Sequence, residues 1–149
     1  MGHAARVVRR KCCEGASDRV KQRVFDHVDL RVADLAVAAP FYEALLPALG
    51  FTRRVEIEGW LQFEAAGEGA AEFFGVTQDA EHVANANRIA FWADSNAHVD
   101  ELAFLAKRLG AASIEGPAFE AEGYYAVFFN DPSGNRLEIV HRSDPFSAE

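Results

Sequence analysis

The sequence is nearly free of cysteine: Cys12 and Cys13 are the only two in 149 residues, and they are adjacent. A bridge between neighbours is strained and no third thiol exists, which excludes a disulfide framework and fits a reducing cytoplasm. No run of about 18 apolar residues occurs, so no helix is expected to span a membrane. The basic start has no apolar stretch behind it, so no secretory signal is expected. A Gly-rich phosphate loop, a CxxC pair and a Ser–His–Asp set are also missing, which argues against the chemistries those motifs carry. Positive charge is scarce beyond the first residues. Residues 1–23 hold seven Lys/Arg and two acids, while the remaining chain has eight bases and 21 acids. An acidic body of this kind argues against a nucleic-acid groove.

Apolar residues are plentiful: half the chain is hydrophobic, and 12 Phe point to an aromatic-rich interior or pocket. The length suits one ordinary domain. Residues 1–23 lack periodicity and read as a basic, disordered extension, solvated rather than bound to an anionic surface. Order begins at Val24. Val28, Leu30 and Val32 alternate with His27, Asp29 and Arg31, the pattern of a half-buried strand. Asp34 then caps a helix in which Leu35, Ala38, Phe41, Tyr42, Leu45, Leu46 and Leu49 recur at helical spacing. Pro40 is expected in its first turn, Pro47 in its last, and Gly50 ends it. Three strand-like runs follow without room for a helix, Thr52–Ile57, Gly59–Ala65 and Ala71–Val76, joined by short turns that favour an antiparallel meander.

After a polar linker the pattern restarts. Arg88–Asp94 is a strand ending in Asp, as the first one does. A helix carrying Val99, Leu102, Leu105, Ala106 and Leu109 follows, closed by Gly110. Strands are then expected at Ala112–Glu115, Tyr124–Asn130 and Arg136–His141. The chain therefore divides into module one (24–77), a linker (78–87), module two (88–142) and a tail (143–149), with the βαβββ order repeated. Neither module alone covers both faces of its sheet, so the two must pack together or swap between chains.

The second module closes on FFNDPSGNRLEIV, Phe128 to Val140. Asp131-Pro132-Ser133-Gly134-Asn135 is a tight turn, with Pro setting φ early and Gly or Asn accepting φ > 0 late. The strand after it puts Leu137 and Ile139 on one face and Glu138 with Val140 on the other. A carboxylate among apolar neighbours needs a partner or a metal.

This arrangement, with the words DHVDLRVADL, FYEALLPALGF, RIAFWAD and NDPSGNRLEIV, resembles the vicinal oxygen chelate superfamily of glyoxalase I, bleomycin and fosfomycin resistance proteins and extradiol dioxygenases. The resemblance covers Val24 to Arg142. It implies an α+β fold in which two βαβββ modules form a curved, eight-stranded mixed sheet around a cavity, in a homodimer. In metal-binding members the ligands come from the first and last strands of each module. Carried over position by position, His27 matches the first ligand and Glu138 the last, a pair suited to Zn, Ni, Mn or Fe. The second module should open on His but has Arg88, which cannot ligate a metal. On the last strand of module one the ligand falls near Glu72 to Phe74. Phe74 suits the register better, and Glu72 is the chemically able residue. Arg88 beside Glu138 or Glu72 would instead pair with the carboxylate.

Two functions follow from the resemblance. One is a lactoylglutathione-lyase-like metalloenzyme, a lyase, isomerase or dioxygenase acting on a small molecule with vicinal oxygens, with an incomplete ligand set. In it His27, Glu138 and Glu72 hold one divalent metal, Glu138 is catalytic and Arg88 meets anionic substrate. The other is a metal-free protein of the bleomycin-resistance kind, whose aromatic bowl sequesters a flat or cationic ligand. Trp92, Tyr124 and Tyr125 are the expected pocket aromatics, and Asp29 with Arg31 are either pocket floor or a cross-strand pair. His82, His98 and His141 read as solvated residues rather than ligands.

Overall fold

The structure, a computed structural model, describes residues 24–143. The expectations for the basic extension and the tail, Cys12 and Cys13 included, fall outside the described residues. The described chain runs β1 (His27–Val32), α1 (Leu35–Ala48), β2 (Arg53–Ile57), β3 (Trp60–Glu64), β4 (Phe73–Gln78), then β5 (Arg88–Trp92), α2 (Asn96–Arg108), β6 (Ala112–Ala121), β7 (Tyr124–Asn130) and β8 (Arg136–Arg142). The repeated βαβββ order is as expected, with all eight strands present. They hydrogen-bond as two four-stranded mixed sheets, β1-β4-β3-β2 and β5-β8-β7-β6, rather than as one ladder. In each sheet the first strand pairs in parallel with the last strand of its module, and the other joins are antiparallel.

Local chemistry accounts for most of the boundaries. The Asp34 carboxylate accepts from the amides of Ala36 (2.9 Å) and Val37 (3.3 Å), two of the four donors that a helix start leaves unpaired. Ser95 does the same for α2 through the His98 amide at 3.0 Å. Both helices run out into a glycine at positive φ, Gly50 at +105° and Gly110 at +88°, a conformation that costs a residue with a Cβ. Pro40 lies in the second turn of α1, not the first, because the helix opens at Leu35. Its missing N–H therefore removes one interior helix bond.

Strand β6 is more than twice the expected length. Gly116-Pro117 reads as a breaker, yet the strand passes through it on a cis peptide bond with register shifts against β7. Gly116 is required there: at φ +88°, a Cβ would come within 2.7 Å of the Ala126 carbonyl oxygen.

Strand alternation sorts the side chains. Val32, Phe74, Val76, Phe91, Val127, Phe129, Leu137 and Ile139 face the helices and are buried with Tyr42, Leu45, Leu46, Val99 and Leu102 in one core. The two modules share that core within the chain. Phe74 packs on Phe91 with ring centroids 5.4 Å apart, and Phe41 on Phe129 at 6.4 Å. A polar clip reinforces the junction. Asp131, in the turn of module two, accepts the Tyr42 hydroxyl of α1 at 2.5 Å. From the same turn, Asn135 donates to the Arg31 carbonyl (2.9 Å) and Ser133 Oγ accepts the Ala33 amide (3.2 Å). The NDPSGN stretch is thus a fastener between modules as well as a hairpin.

Candidate functional site

Each sheet has an open face turned away from the helices, and period-two alternation decides which side chains reach it. On the second sheet Glu138 lies across from Ala90 on one neighbouring strand and Phe128 on the other. It is 5 % exposed, so it needs a donor. The Tyr124 hydroxyl supplies one, donating to Oε1. Tyr124 pairs in register with Arg142, four residues beyond Glu138 on β8, and the Ala126–Val140 pair lies between that pair and Phe128–Glu138. The bond therefore draws the carboxylate toward the Arg142 end of the strand. Burial, then the bond to Glu138, raises the Tyr124 pKa above the ordinary phenol value, and the nearby Arg142 partly opposes this. The Arg142 guanidinium lies 4.7 Å over the Tyr124 ring.

A cavity of about 480 Å³ opens between the modules, within the usual range for small-molecule sites. The start of β1, the start of β4, the end of α1, strand β5 and the start of α2 form its wall. Six aromatic side chains line it: Phe25, Phe51, Phe73, Phe74, Phe91 and Trp92. Among the described residues its charged and titratable lining consists of Asp26, Glu72, Asp94, His27 and His98, with neither Lys nor Arg among them. His27 Nδ1 is 2.8 Å from Asp26, and its ring stacks on Phe73 at 4.4 Å, nearly parallel. Trp92 is half exposed and donates its indole N–H to Asp94 at 3.2 Å. His98 Nδ1 accepts the Asp94 amide at 3.4 Å.

The expected site residues are therefore dispersed. His27, Glu72 and Trp92 share the inter-module cavity. Glu138 and Tyr124 form their own pair on the open face of the second sheet. Arg88 joins no ion pair among the described residues and stacks 4.5 Å over the Phe128 ring, so the expected pairing with Glu138 or Glu72 is not made. Asp29 and Arg31 bond each other at 2.5 Å on the exposed face of β1, and Thr77 donates to the same carboxylate. Tyr125 points the other way, its hydroxyl donating to Asp100 of α2 at 2.7 Å, and that bond chiefly raises its pKa.

These positions bear on a metal. Among the described residues, no three His, Cys, Asp or Glu side chains gather into a group that could hold an ion. Phe73, not Phe74 or Glu72, is the register partner of His27, and it offers a ring where a donor would be needed. Arg88 stands at the remaining position with a permanent charge. This donor set does not fit a divalent cation.

Several cavity residues are not evident from sequence. Phe73 and Phe74 are consecutive and point opposite ways, yet both line the cavity, Phe74 from within the core, and composition alone does not show which is which. Asp26 stands just before β1 and Asp94 just after β5, and no pattern in the sequence marks either as a cavity residue. His82 and His98 are not simply solvated. His82 bonds the Asn135 side chain at 2.8 Å, and His98 lines the cavity.

Comparison with known proteins agrees with this architecture. A search of curated proteins finds no match. Among solved structures, a glyoxalase/bleomycin resistance protein from Albidiferax ferrireducens is 28 % identical, with a TM-score of 0.67 over 80 % of this chain and 98 % of that one. A mutant of the fosfomycin resistance protein FosX from Listeria monocytogenes, complexed with Mn(II) and a dihydroxypropylphosphonic acid, is 21 % identical. It has a TM-score of 0.60 over 82 % of this chain and 91 % of its own. A glyoxalase/bleomycin resistance protein/dioxygenase from Nocardioides is 18 % identical, with a TM-score of 0.60 over 87 % of this chain and 92 % of that one. At such identities the latter two show the fold alone. The family model matches residues 24–139, and the chain belongs to the Glyoxalase/Bleomycin resistance protein/Dioxygenase superfamily.

Proposed function

We propose that this protein binds a flat, cationic small molecule in the cavity between its modules and does so without a metal. The observation that carries this reading is the lining: among the described residues it has six aromatic side chains and three carboxylates, with no Lys or Arg. A cation over an aromatic face gains about 0.5–2 kcal/mol, more as water is excluded. A flat ring gains area against Phe73 and Trp92, and the carboxylates of Glu72 and Asp94 set the preferred sign of charge. The same lining disfavours an anion.

The rival reading is the metal-dependent lyase, isomerase or dioxygenase. It requires Glu138 to leave Tyr124 and join His27 with a third donor, and the register partner of His27 is Phe73. Calorimetric titration of 1-naphthylmethylammonium into the wild type, Trp92→Ala and Asp94→Asn tests the proposal. Saturable binding that weakens at least fivefold in both variants supports it. Binding untouched by either substitution places the ligand elsewhere and refutes it.

A homodimer is part of the proposal. Ile57, Trp92 and Phe119 are large apolar side chains that this chain leaves exposed, and a second copy would cover some of them. Light scattering on the purified chain reads the mass directly, and a monomer at micromolar concentration would remove this part.

A further inference from the structure

We propose a second binding site, for a phosphoryl-type oxyanion, in a polar cavity of about 270 Å³ on the second sheet. Arg88 and Arg136 line it and are register partners on the adjacent strands β5 and β8. Neighbouring strands lie about 4.8 Å apart, and register partners project from the same face. Like charges directly opposite each other destabilise a sheet unless something compensates them. Among the described residues, neither arginine joins an ion pair, whereas Arg31, Arg53 and Arg54 on the first sheet all do. In an acidic protein of net charge −8, two adjacent cations without a carboxylate partner form a local field suited to an anion.

The Arg88 guanidinium carbon sits 4.5 Å from the centre of the Phe128 ring, a contact that takes up none of its N–H donors in an ion pair among the described residues. Asn130, the β7 partner of Arg136, adds a side-chain amide, and Ser113 adds a hydroxyl from β6. Ser113 holds φ at +51°, a conformation seldom adopted outside glycine and concentrated at binding sites. Two carboxylates bear on the field. Glu115 lines the cavity but makes no ion pair with either arginine, and Glu138 is drawn to the opposite end of the strand by Tyr124. Two guanidinium forks, an amide and a hydroxyl match the several acceptor oxygens of a phosphoryl group. Arg88 and Arg136 do not line the inter-module cavity, so this site stands or falls independently of the proposed function.

The test uses the full chain, with inorganic phosphate and phenyl phosphate titrated at fixed ionic strength and followed by amide chemical shifts and calorimetry. We expect saturable binding that weakens at least tenfold in Arg88→Gln and in Arg136→Gln and tightens in Glu115→Gln. Arg108→Gln, on the distant face of α2, should leave it unchanged. If Arg88→Gln does not fold, Arg136→Gln carries the test alone, since its side chain is exposed. Equal affinity for the two probes identifies the free ion as sufficient, and tighter phenyl phosphate identifies an organic phosphate; either outcome upholds the site. Absence of saturable binding for both probes overturns the proposal. So does a loss in Arg108→Gln as large as in Arg136→Gln.

Discussion

Replacing Tyr42 with Phe removes one oxygen from the junction on which the inter-module cavity depends. Tyr42 is fully buried, and its hydroxyl donates to Asp131 Oδ2 at 2.5 Å. Asp131, 2 % exposed, has its other bonds from the amides of Ser133 and Asn135 (both 2.8 Å) and from the Asn135 side chain (2.9 Å). The ring contacts of residue 42 with Phe41 and Phe74 survive the substitution, so the loss is that of a bond to a buried carboxylate. Such bonds contribute about 1.5–3 kcal/mol, and the three remaining donors to Asp131 favour the lower half of that range. We expect a loss of about 2 kcal/mol, or about 4–8 °C in Tm for a chain of this length. Urea unfolding followed by tryptophan emission measures it, and a cycle with Asp131→Asn isolates the pair. A loss below about 0.5 kcal/mol with an unchanged denaturant slope would refute the clip as a stabilising element. The same bond has a pH signature. Burial, followed by the charge and hydrogen bond of Asp131, holds the Tyr42 hydroxyl well above its ordinary pKa. The folded protein therefore keeps a proton that the unfolded chain releases near pH 10. This contribution is complete below about pH 10 and is lost as pH rises from there through the folded value. Alkaline destabilisation should be shallower in Tyr42→Phe, and a wild-type slope in that variant would contradict the assignment.

Tyr124→Phe strips the hydroxyl donor from buried Glu138 and should cost about 1–2 kcal/mol by urea unfolding. The freed carboxylate should still bind Mn(II), Ni(II) or Zn(II) no better than millimolar by calorimetry, while micromolar affinity would favour the metal reading. Gly116→Ala drives a Cβ into the Ala126 carbonyl at positive φ and should destabilise the fold by about 1–3 kcal/mol or more in the same assay. His27→Ala removes the ring stacked on Phe73 and should weaken a flat cation by about two- to tenfold, without shifting Tm by more than a degree or two. A collapse in stability instead would make His27 a structural residue.

The modular plan was legible because its signals are local and occur twice: a half-buried strand ending in Asp or Asp-Ser, a helix beginning there, and a glycine at its end. Asp34 caps its helix as read, and Leu137 and Ile139 face the core while Glu138 does not. What escaped the reading depends on tertiary partners. Gly116-Pro117 looks like a break, and only pairing with β7 shows a strand continuing through it. Phe73 and Phe74 are chemically identical neighbours, and packing against Tyr42 and Phe91 decides that Phe74 goes inward. Tyr125 could face Glu138 until Asp100 on α2 gives its hydroxyl a partner on the other side. The resemblance located His27, Arg88 and Glu138, but it could not show that Arg88 would choose the Phe128 ring over a carboxylate. Nor could it show that an aromatic-lined cavity would lie between the modules, built from residues 25 to 98.

The central claim is that the inter-module cavity selects a flat cation and needs no metal. One measurement tests it directly: the affinity of three ligands sharing one ring system, 1-naphthylmethylammonium, 1-naphthalenemethanol and 1-naphthylacetate, with a chelator present throughout. The account predicts that the cation binds about tenfold more tightly than the neutral alcohol and that the carboxylate binds more weakly than either. Equal or tighter binding of the carboxylate, or binding that emerges only when the chelator is replaced by Mn(II), Ni(II) or Zn(II), would contradict it.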